Sequence, residues 1–329
     1  MKTAIQTAYG APSVVVIRDK PKPVPKDNEV LVKVVATTVT SGDSRMRAFR
    51  IPAAFWLPGR LVMGITKPRR QVLGVEFAGI VETVGKSVTR FKAGDRVFGL
   101  HLLGCHAEYE VVPEDAAIAI MPEGLSFAEA AAIPFGAITA QFFLRKARIG
   151  PGTRVLVNGA SGAVGTFGVQ LARHYGAHVT GICSAANADL VRSLGAETII
   201  DYRTTDFSRT GQVFEVILDT IGNIGLGHLM RATPSGGVLL AVDGGGTAFL
   251  RAAWTALFSS RKVKAATSQD RQADLEIIRD LVASGALRAT IDSRYPLDAI
   301  TSAHARVDTG RKRGAVVVDI AVPQVLAAP

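Results

Sequence analysis

The sequence predicts a two-domain α/β protein, and three features carry that reading. The first ~120 residues break into short β-branched runs separated by Pro and Gly. From Ser126 onward, apolar strand-like runs alternate with amphipathic helical stretches, the pattern of a parallel sheet covered on both faces. At the head of that alternation a glycine-rich turn, Gly159-Ala160-Ser161-Gly162-Ala163-Val164-Gly165, stands between a strand and a helix. The 329 residues suffice for two domains, and an apolar fraction of 48% suffices for filled cores.

Taken in order, strands are predicted at Thr3–Ala8, Val14–Arg18, Glu29–Thr38, Glu76–Val84, Arg96–Phe98 and Ala107–Val112. Pro21–Glu29 has the Pro spacing of an extended connector, and Gly94-Asp95 reads as a hairpin turn. Ser126 precedes Glu129 by three residues, the spacing of a capping box, and opens a helix that Pro134 breaks before a second one begins. Strands at Arg154–Gly159, His178–Cys183, Thr198–Tyr202, Phe214–Thr220 and Gly237–Asp243 then alternate with helices, among them Gly165–Gly176 and Ala188–Gly195. After Leu287 a strand is expected near Ala289–Ser293, a helix at Leu297–Asp308 and a last strand at Ala315–Ile320.

Composition excludes several function classes. The net charge of +10 comes from scattered groups: Arg45/Arg47/Arg50, Lys67/Arg69/Arg70, Arg261/Lys262/Lys264 and Arg311/Lys312/Arg313. None is interleaved with the aromatics of a base-stacking platform, so no dedicated nucleic-acid site is expected. A diffuse positive field around an anionic cofactor fits better. Two cysteines, Cys105 and Cys183, build neither a disulfide framework nor a four-thiolate zinc lobe, and a reducing, cytoplasmic compartment is expected. The N-terminal stretch alternates like a strand and has no signal-peptide core. The longest uncharged run, Ala130–Leu144, is too short for a bilayer and is interrupted by Pro134 and Gly136, so no transmembrane segment is expected.

The glycine turn is the strongest local signal. Gly159, Gly162 and Gly165 let backbone N–H groups of Ser161–Gly165 approach a pyrophosphate, and the following helix presents its positive end to the same phosphates. An acidic residue at the end of the second strand would bond the adenosine 2′-hydroxyl of NADH. The strand end here reads Gly181-Ile182-Cys183-Ser184-Ala185-Ala186-Asn187, with no carboxylate. Ser184 and Asn187 can donate to a 2′-phosphate, and Tyr202-Arg203, at the end of the third strand, can close over it. The expected cofactor is NADPH.

A second motif runs Gly74-Val75-Glu76-Phe77-Ala78-Gly79. In metal dehydrogenases with this signature the second position is a zinc-binding histidine, and Val75 cannot bind a metal. His101, Cys105 and His106 are clustered locally, but adjacent residues on a strand point to opposite faces. No metal is expected.

The chain resembles the zinc-free branch of the medium-chain dehydrogenase/reductase superfamily: quinone oxidoreductases, zeta-crystallin-like proteins and enoyl reductases. The resemblance is carried in order by GVEFAGIVETVGKSVTRFKAGDRVFG, AEYEVVPE, AAAIPFGAITA, NGASGAVGTFGVQLA, VRSLGAETIIDY and VILDTIG. It implies a GroES-like β-rich catalytic domain over residues 1–125 and 289–329, a doubly wound Rossmann domain over 126–288, an active site in the cleft, and a homodimer formed through the Rossmann sheet edge. By position, Gly162, Ala163 and Val164 would cradle the pyrophosphate and Thr139 would lie by the nicotinamide. Asp219-Thr220 and Gly222 would close the fourth strand end, and Val242-Asp243-Gly244 would sit under the ring. Thr40 stands where relatives carry Asn, followed by Asp43 and Arg45. Ala315 replaces a common Lys.

Without a Lewis acid, a conjugated carbonyl or quinone is the expected hydride acceptor, because it delocalises the incoming charge itself. Backbone N–H groups, the cofactor ribose, and Thr40 or Arg45 would hold the oxyanion, with protonation from water. Thr40, Asp43 and Arg45 are therefore the catalytic candidates. Two apolar segments are candidates for the substrate pocket: Arg50–Gly64 with Phe55 and Trp56, and a helical pattern over Thr247–Lys264 with Trp254 and Phe258. The second reads equally as a subunit interface, and a basic amphipathic helix on a membrane surface is a third option. Two alternatives stay open: a reductase of 2-alkenals or enoyl thioesters, and a cofactor-binding protein of little turnover that binds RNA or a protein partner.

Overall fold

Eleven residues from Glu29 to Val39, mostly Val, Ala and Thr, form a strand buried on nearly every position, and the first half of the protein is assembled on it. The computed structural model describes residues 1–51, 53–243, 245–266 and 271–320. In chain order the first elements are β1 (Lys2–Gln6), β2 (Val15–Asp19), β3 (Glu29–Val39), α1 (Ser41–Ala48), α2 (Ala53–Met63), β4 (Glu76–Val84), β5 (Arg96–Leu100), β6 (Tyr109–Pro113), β7 (Ile118–Ile120) and α3 (Phe127–Ala131). Next come α4 (Pro134–Leu144), β8 (Arg154–Asn158), α5 (Ala163–His174), β9 (His178–Cys183), α6 (Ala188–Ser193), β10 (Thr198–Asp201), β11 (Val216–Asp219), α7 (Leu226–Ala232), β12 (Val238–Ala241), α8 (Gly245–Phe258) and β13 (Lys262–Ala265). The chain closes with α9 (Gln272–Ala283), β14 (Ile291–Pro296), α10 (Ile300–Asp308) and β15 (Ala315–Asp319).

These elements form two units. The first comprises Met1–Phe135, Asp270–Ser284 and the stretch from Arg288 onward, and the second Gly136–Gln269 with Gly285–Leu287. Both α3 and α9 thus lie with the β-rich unit, α9 against β7. The first unit's sheet runs β14-β15-β3-β4-β5-β7, with β6 also paired to β3. All its pairings are antiparallel except β14 with β15. Val32, Val34, Phe77, Val97 and Ile118 fill one core and Val39, Val316, Leu297 and Ile300 another. Each such side chain contributes roughly 1.5–3 kcal/mol on burial.

The second unit is a parallel sheet ordered β10-β9-β8-β11-β12-β13. Counted from β8 this is 3-2-1-4-5-6, the doubly wound order in which ligands bind where the order reverses, at the carboxyl ends of the strands. Leu156, Ile217, Leu239 and Leu229 pack its interior. Among the described residues no helix is long and apolar enough to cross a membrane.

The Ser126 reading holds: its hydroxyl accepts from Glu129 N (3.2 Å), and the Glu129 carboxylate accepts from Ser126 N (3.0 Å). Other expectations need correction. Gly94-Asp95 closes a turn on Lys92, but the β4–β5 hairpin needs the whole loop 85–95. The Arg50–Gly64 insertion is helical over Ala53–Met63 despite Pro58. The Arg60 guanidinium stacks on Tyr9 (4.3 Å) and Phe49 (4.1 Å), and Tyr9 Oη donates to Met63 O (3.0 Å), contacts that offset the break a proline makes. The helix expected over Thr247–Lys264 stops at Phe258, and Lys262–Ala265 becomes the edge strand β13. Lys262 Nζ donates to the carbonyls of Thr255, Ala256 and Ser259, closing the negative end of α8, while Val263 N donates to Thr255 Oγ1 (3.0 Å).

Candidate active site

In the second unit, β8 ends at Asn158 and the chain turns at Gly159, whose φ of +77° favours glycine. A Cβ at Gly165 would collide with the Gly159 carbonyl, so the turn tolerates only glycine there. Gly162 is the N-cap of α5 and offers no side chain, which leaves the amides of the first helical turn uncapped by any side chain. Uncapped amides at a helix start behind a glycine turn suit a pyrophosphate, so the cradle fits a dinucleotide. Ser161 lies at its edge, and Ala163 and Val164 open α5.

The ends of β9 and β10 are brought together beside this turn, with Cys183 level with Asp201. Ser184 is buried and Tyr202 is exposed, with Arg203 leaning over the Tyr202 ring at 5.9 Å. Two contacts add to the sequence reading here. Asn187 Nδ2 donates to Ser161 Oγ (3.0 Å), so it ties the adenosine loop to the glycine turn. A carboxylate does stand at this corner: Asp201 accepts from Ala185 N (3.2 Å) and from Arg203 N (2.9 Å). It arrives from the neighbouring strand, which a search confined to the end of β9 cannot register. Burial pushes the adjacent Cys183 thiol up to about 11, so it is no thiolate at neutral pH.

Asp219, at the end of β11, has its carboxylate engaged within the chain. Its carboxylate accepts from Ile221 N, Gly222 N and Ile224 N and from Asn158 Nδ2, at 2.8–3.1 Å, and thereby shapes the 219–224 loop. Val242 N donates to Asp219 O (3.0 Å), aligning the two strand ends. Thr139 is buried on α4. Gly244 and the Phe55 side chain lie outside the described residues.

In the first unit Thr40 is the N-cap of α1. Its Oγ1 donates to Asp43 Oδ2 (2.6 Å) and accepts from Asp43 N (3.1 Å), while Thr40 N donates to the same carboxylate (2.8 Å). The other Asp43 oxygen accepts from Gly74 N (2.9 Å), and the side chain is fully buried. Asp43 therefore holds the start of α1 against the Gly74–Glu76 turn and does not reach a substrate. Arg45 is exposed on α1 and, with Ser41, Ser44, Arg50 and Asp308, lines a cleft of about 240 Å³. Trp56, Trp254 and Phe258, the expected pocket residues, are 48%, 44% and 71% exposed.

Two family models match, one described as an alcohol dehydrogenase GroES-like domain over residues 26–123, the other as zinc-binding dehydrogenase over 194–318. A chloroplastic quinone-oxidoreductase homologue of Spinacia oleracea is 32% identical, over 90% of this chain and 91% of that protein. The chain belongs to the medium-chain dehydrogenase/reductase superfamily, in its zinc-free quinone oxidoreductase branch. A trans-enoyl reductase of Aspergillus terreus is also 32% identical, over 89% of this chain and 86% of that protein. The solved quinone oxidoreductase of Coxiella burnetii superposes with a TM-score of 0.84 at 26% identity, covering 98% and 99% of the two chains.

As a medium-chain dehydrogenase/reductase the protein is an oxidoreductase using a pyridine nucleotide, with a GroES-like first unit and a Rossmann second unit. Its Gly74–Glu76 turn carries groups that the sequence reading passed over. Glu76 is buried, accepting from Phe135 N (2.6 Å) and from Thr38 Oγ1, and burial raises its carboxyl to about 7. Lys312, three residues before the Ala315 that replaces the usual lysine, donates to Gly314 O (2.7 Å) and is pulled by burial to about 8. The expected His101/Cys105/His106 cluster is divided: His101 Nδ1 pairs with Glu110 (2.7 Å) and His106 Nε2 donates to Thr38 O (2.9 Å). Gly74 lies so close that a Cβ there would strike His106. Glu76 lies inside the Gly74–Gly79 motif, and a carboxylate flanked by apolar residues is its signal in the sequence.

Asp43→Ala should cost about 3 kcal/mol of stability, since three backbone or hydroxyl donors lose their acceptor in a dry site. Urea unfolding reads this directly. Retained turnover per folded molecule in Asp43→Asn would establish positioning over chemistry, and a loss confined to kcat would reverse that assignment.

Proposed function

We propose that this reductase transfers hydride from NADPH to a quinone or an α,β-unsaturated carbonyl without a metal. The observation that carries the reading is Val75, which brings no donor atom to the turn between Gly74 and the tightly held Glu76. Lewis-acid polarisation of a simple carbonyl needs such donors, whereas a conjugated acceptor spreads the incoming charge over its own framework. A dinucleotide whose phosphates lie in the Gly159–Gly165 cradle would supply the hydride from its reduced nicotinamide. The amides at the start of α5 would hold the phosphates, and Ser184, Tyr202 and Arg203 would take the adenosine end. Asp219 fixes the loop beside Thr220 and Gly222. Thr40 gives its hydroxyl proton to Asp43, which leaves Arg45 as the side-chain candidate to steady an oxyanion, with the proton coming from water. A relative named as a trans-enoyl reductase favours a second reading within the same chemistry, an enoyl thioester or 2-alkenal as acceptor.

The test is NADPH oxidation, with NADH in parallel, against a 1,4-quinone, a cyclic enone, a 2-alkenal and a simple ketone. Turnover of the conjugated acceptors and not the ketone supports the proposal. Silence across the panel despite tight NADPH binding would replace it with a cofactor-binding role.

The adenosine corner makes its own prediction. Asp201 lies beside the residues that take a 2′-phosphate, so Asp201→Asn should raise the NADPH-to-NADH ratio of kcat/KM by roughly five- to tenfold, and Arg203→Ala should lower it. Unchanged ratios in both variants would place the 2′-phosphate elsewhere.

A further inference from the structure

Past the end of β5 the chain stays on the Gly74–Glu76 turn. His101 N donates to Val75 O (3.0 Å), Cys105 N to Gly74 O (3.2 Å) and His106 N to Leu73 O (3.0 Å), so the loop 101–106 is laid along it. The β4–β5 register pairs Glu76 with Leu100 and thereby sets His101 opposite Val75. Opposed residues of an antiparallel pair project to the same side. The imidazole therefore stands beside the position that holds a zinc ligand in metal dehydrogenases with this signature. A metal there would carry the substrate oxygen. Here the group beside that place is a histidine.

The loop is shaped to seat this ring on a carboxylate. His101 Nδ1 pairs with Glu110 Oε1, on β6, at 2.7 Å. Leu103 takes a φ of +68° and Gly104 one of +130°, and a Cβ at Gly104 would meet the Glu110 carboxylate. A left-handed leucine is a conformation that its surroundings impose. The Glu110 side chain is 14% exposed and that of His101 28%, so the carboxylate is covered while the ring is reached from outside. Nε2 has no hydrogen-bond partner among the described residues. Two other titratable groups stand by. Burial raises the Glu110 carboxyl, opposed by His101 and by Arg70, whose guanidinium donates to Leu102 O (3.2 Å). Burial also pushes the Cys105 thiol well up, so it keeps its proton.

We infer that His101 is the general acid of the reduction and Glu110 its positioning residue. The inference rests on the conjugated acceptor proposed above. A ring whose Nδ1 proton is held by a carboxylate presents Nε2, a donor when the ring is charged and an acceptor when it is neutral. As hydride reaches a quinone or enone, negative charge gathers on the acceptor's oxygen. The Nε2–H bond breaks and an O–H bond forms, leaving a hydroquinone or an enol and a neutral imidazole that takes its next proton from water. The hydride's electron pair reduces the acceptor, and His101 and Glu110 exchange protons only. Such an acid helps most where the oxyanion it quenches is most basic.

His101→Phe keeps a ring and loses the proton. In the full-length protein with NADPH and 1,4-benzoquinones graded from chlorinated to methylated, kcat should fall roughly a hundredfold for the methylated members. It should fall far less for the chlorinated ones, whose hydroquinones are stronger acids. Added imidazole should restore part of the rate in His101→Ala. The role of Glu110 is read without nucleotide. Nitrogen NMR of the His101 ring, assigned by the signal that His101→Phe removes, should show Nδ1–H in the wild type and a shift toward Nε2–H in Glu110→Ala. Equal losses across the series, wild-type rates in His101→Phe, or one tautomer in both proteins would overturn the assignment and leave metal-free transfer standing. A wild type inert on every quinone and enone overturns that reading and the assignment with it.

Discussion

Replacing Gly165 by alanine is expected to abolish most nucleotide-dependent turnover. The new Cβ would meet the Gly159 carbonyl, a backbone atom that cannot step aside without moving the whole turn. Overpacking of this kind costs about 1–3 kcal/mol of stability. The functional loss should exceed it, because the same shift displaces the amides that receive the pyrophosphate, and a misplacement of about 1 Å costs on the order of a hundredfold in rate. Titration of NADPH by fluorescence and steady-state kcat/KM read the two effects, and urea unfolding separates them. Gly162→Ala is the control. A Cβ there comes no nearer than 3.3 Å to the Gly159 carbonyl and the backbone is extended, so a milder loss is expected. Equal losses in the two variants would mean that the turn acts through stability alone.

The second large effect concerns pH. His304 on α10 is buried against the His106 ring, edge-on at 5.7 Å, and neither of its nitrogens has a hydrogen-bond partner among the described residues. Burial, reinforced by His106 and Arg47, lowers it to about 2, far below the ~6.5 of an unfolded chain. The unfolded state therefore holds more protons in this window, and the stability is lost as pH falls below about 6.5. Burial lowers His106 as well, with the same sign. Glu76 acts in the opposite direction. Its folded value of about 7 lies above the ~4.3 of a free carboxyl, so the folded state holds the extra proton and stability declines as pH rises between the two.

In the wild type the Glu76 slope opposes those of His304 and His106 between about pH 4.5 and 6.5, and the profile there is expected to be shallower than the histidines alone would give. The single variants should expose them. His304→Leu should gain about 2 kcal/mol over wild type at pH 5, where the imidazole would otherwise charge on unfolding. Glu76→Gln should gain up to about 3 kcal/mol at pH 8, because no buried carboxylate has to ionise there. Its amide can keep both contacts, accepting from Phe135 N and donating to Thr38 Oγ1. Urea midpoints at pH 5 and pH 8 decide this, and variant profiles parallel to wild type would contradict it.

What could be read from the sequence was mostly local. The strand–glycine turn–helix at Asn158–Ala163 and the Ser126 capping box each lie within a few residues and were legible. The Thr40–Asp43 cap has the same three-residue spacing and is equally legible. Features made by sheet order were not legible. Asp201 reaches the adenosine corner only because β10 lies beside β9, and Lys262–Ala265 becomes a strand only because β12 offers an edge. His304 gave no local sign, since its neighbours in space, His106 and Arg47, are some 200 and 260 residues away in sequence. The outward apolar face of α8 was visible as periodicity, but which side faced the core needed the coordinates.

The measurement that bears most directly on metal-free transfer to a conjugated acceptor follows the hydride itself. The reductase, dialysed against EDTA, is given NADPH deuterated at nicotinamide C4 and a cyclic enone, and the product is examined by NMR. Deuterium at the β-carbon of a saturated ketone, at a rate unchanged by the chelator, is the expected result. Deuterium at the carbonyl carbon of an allylic alcohol, or activity that EDTA removes and zinc restores, would contradict it.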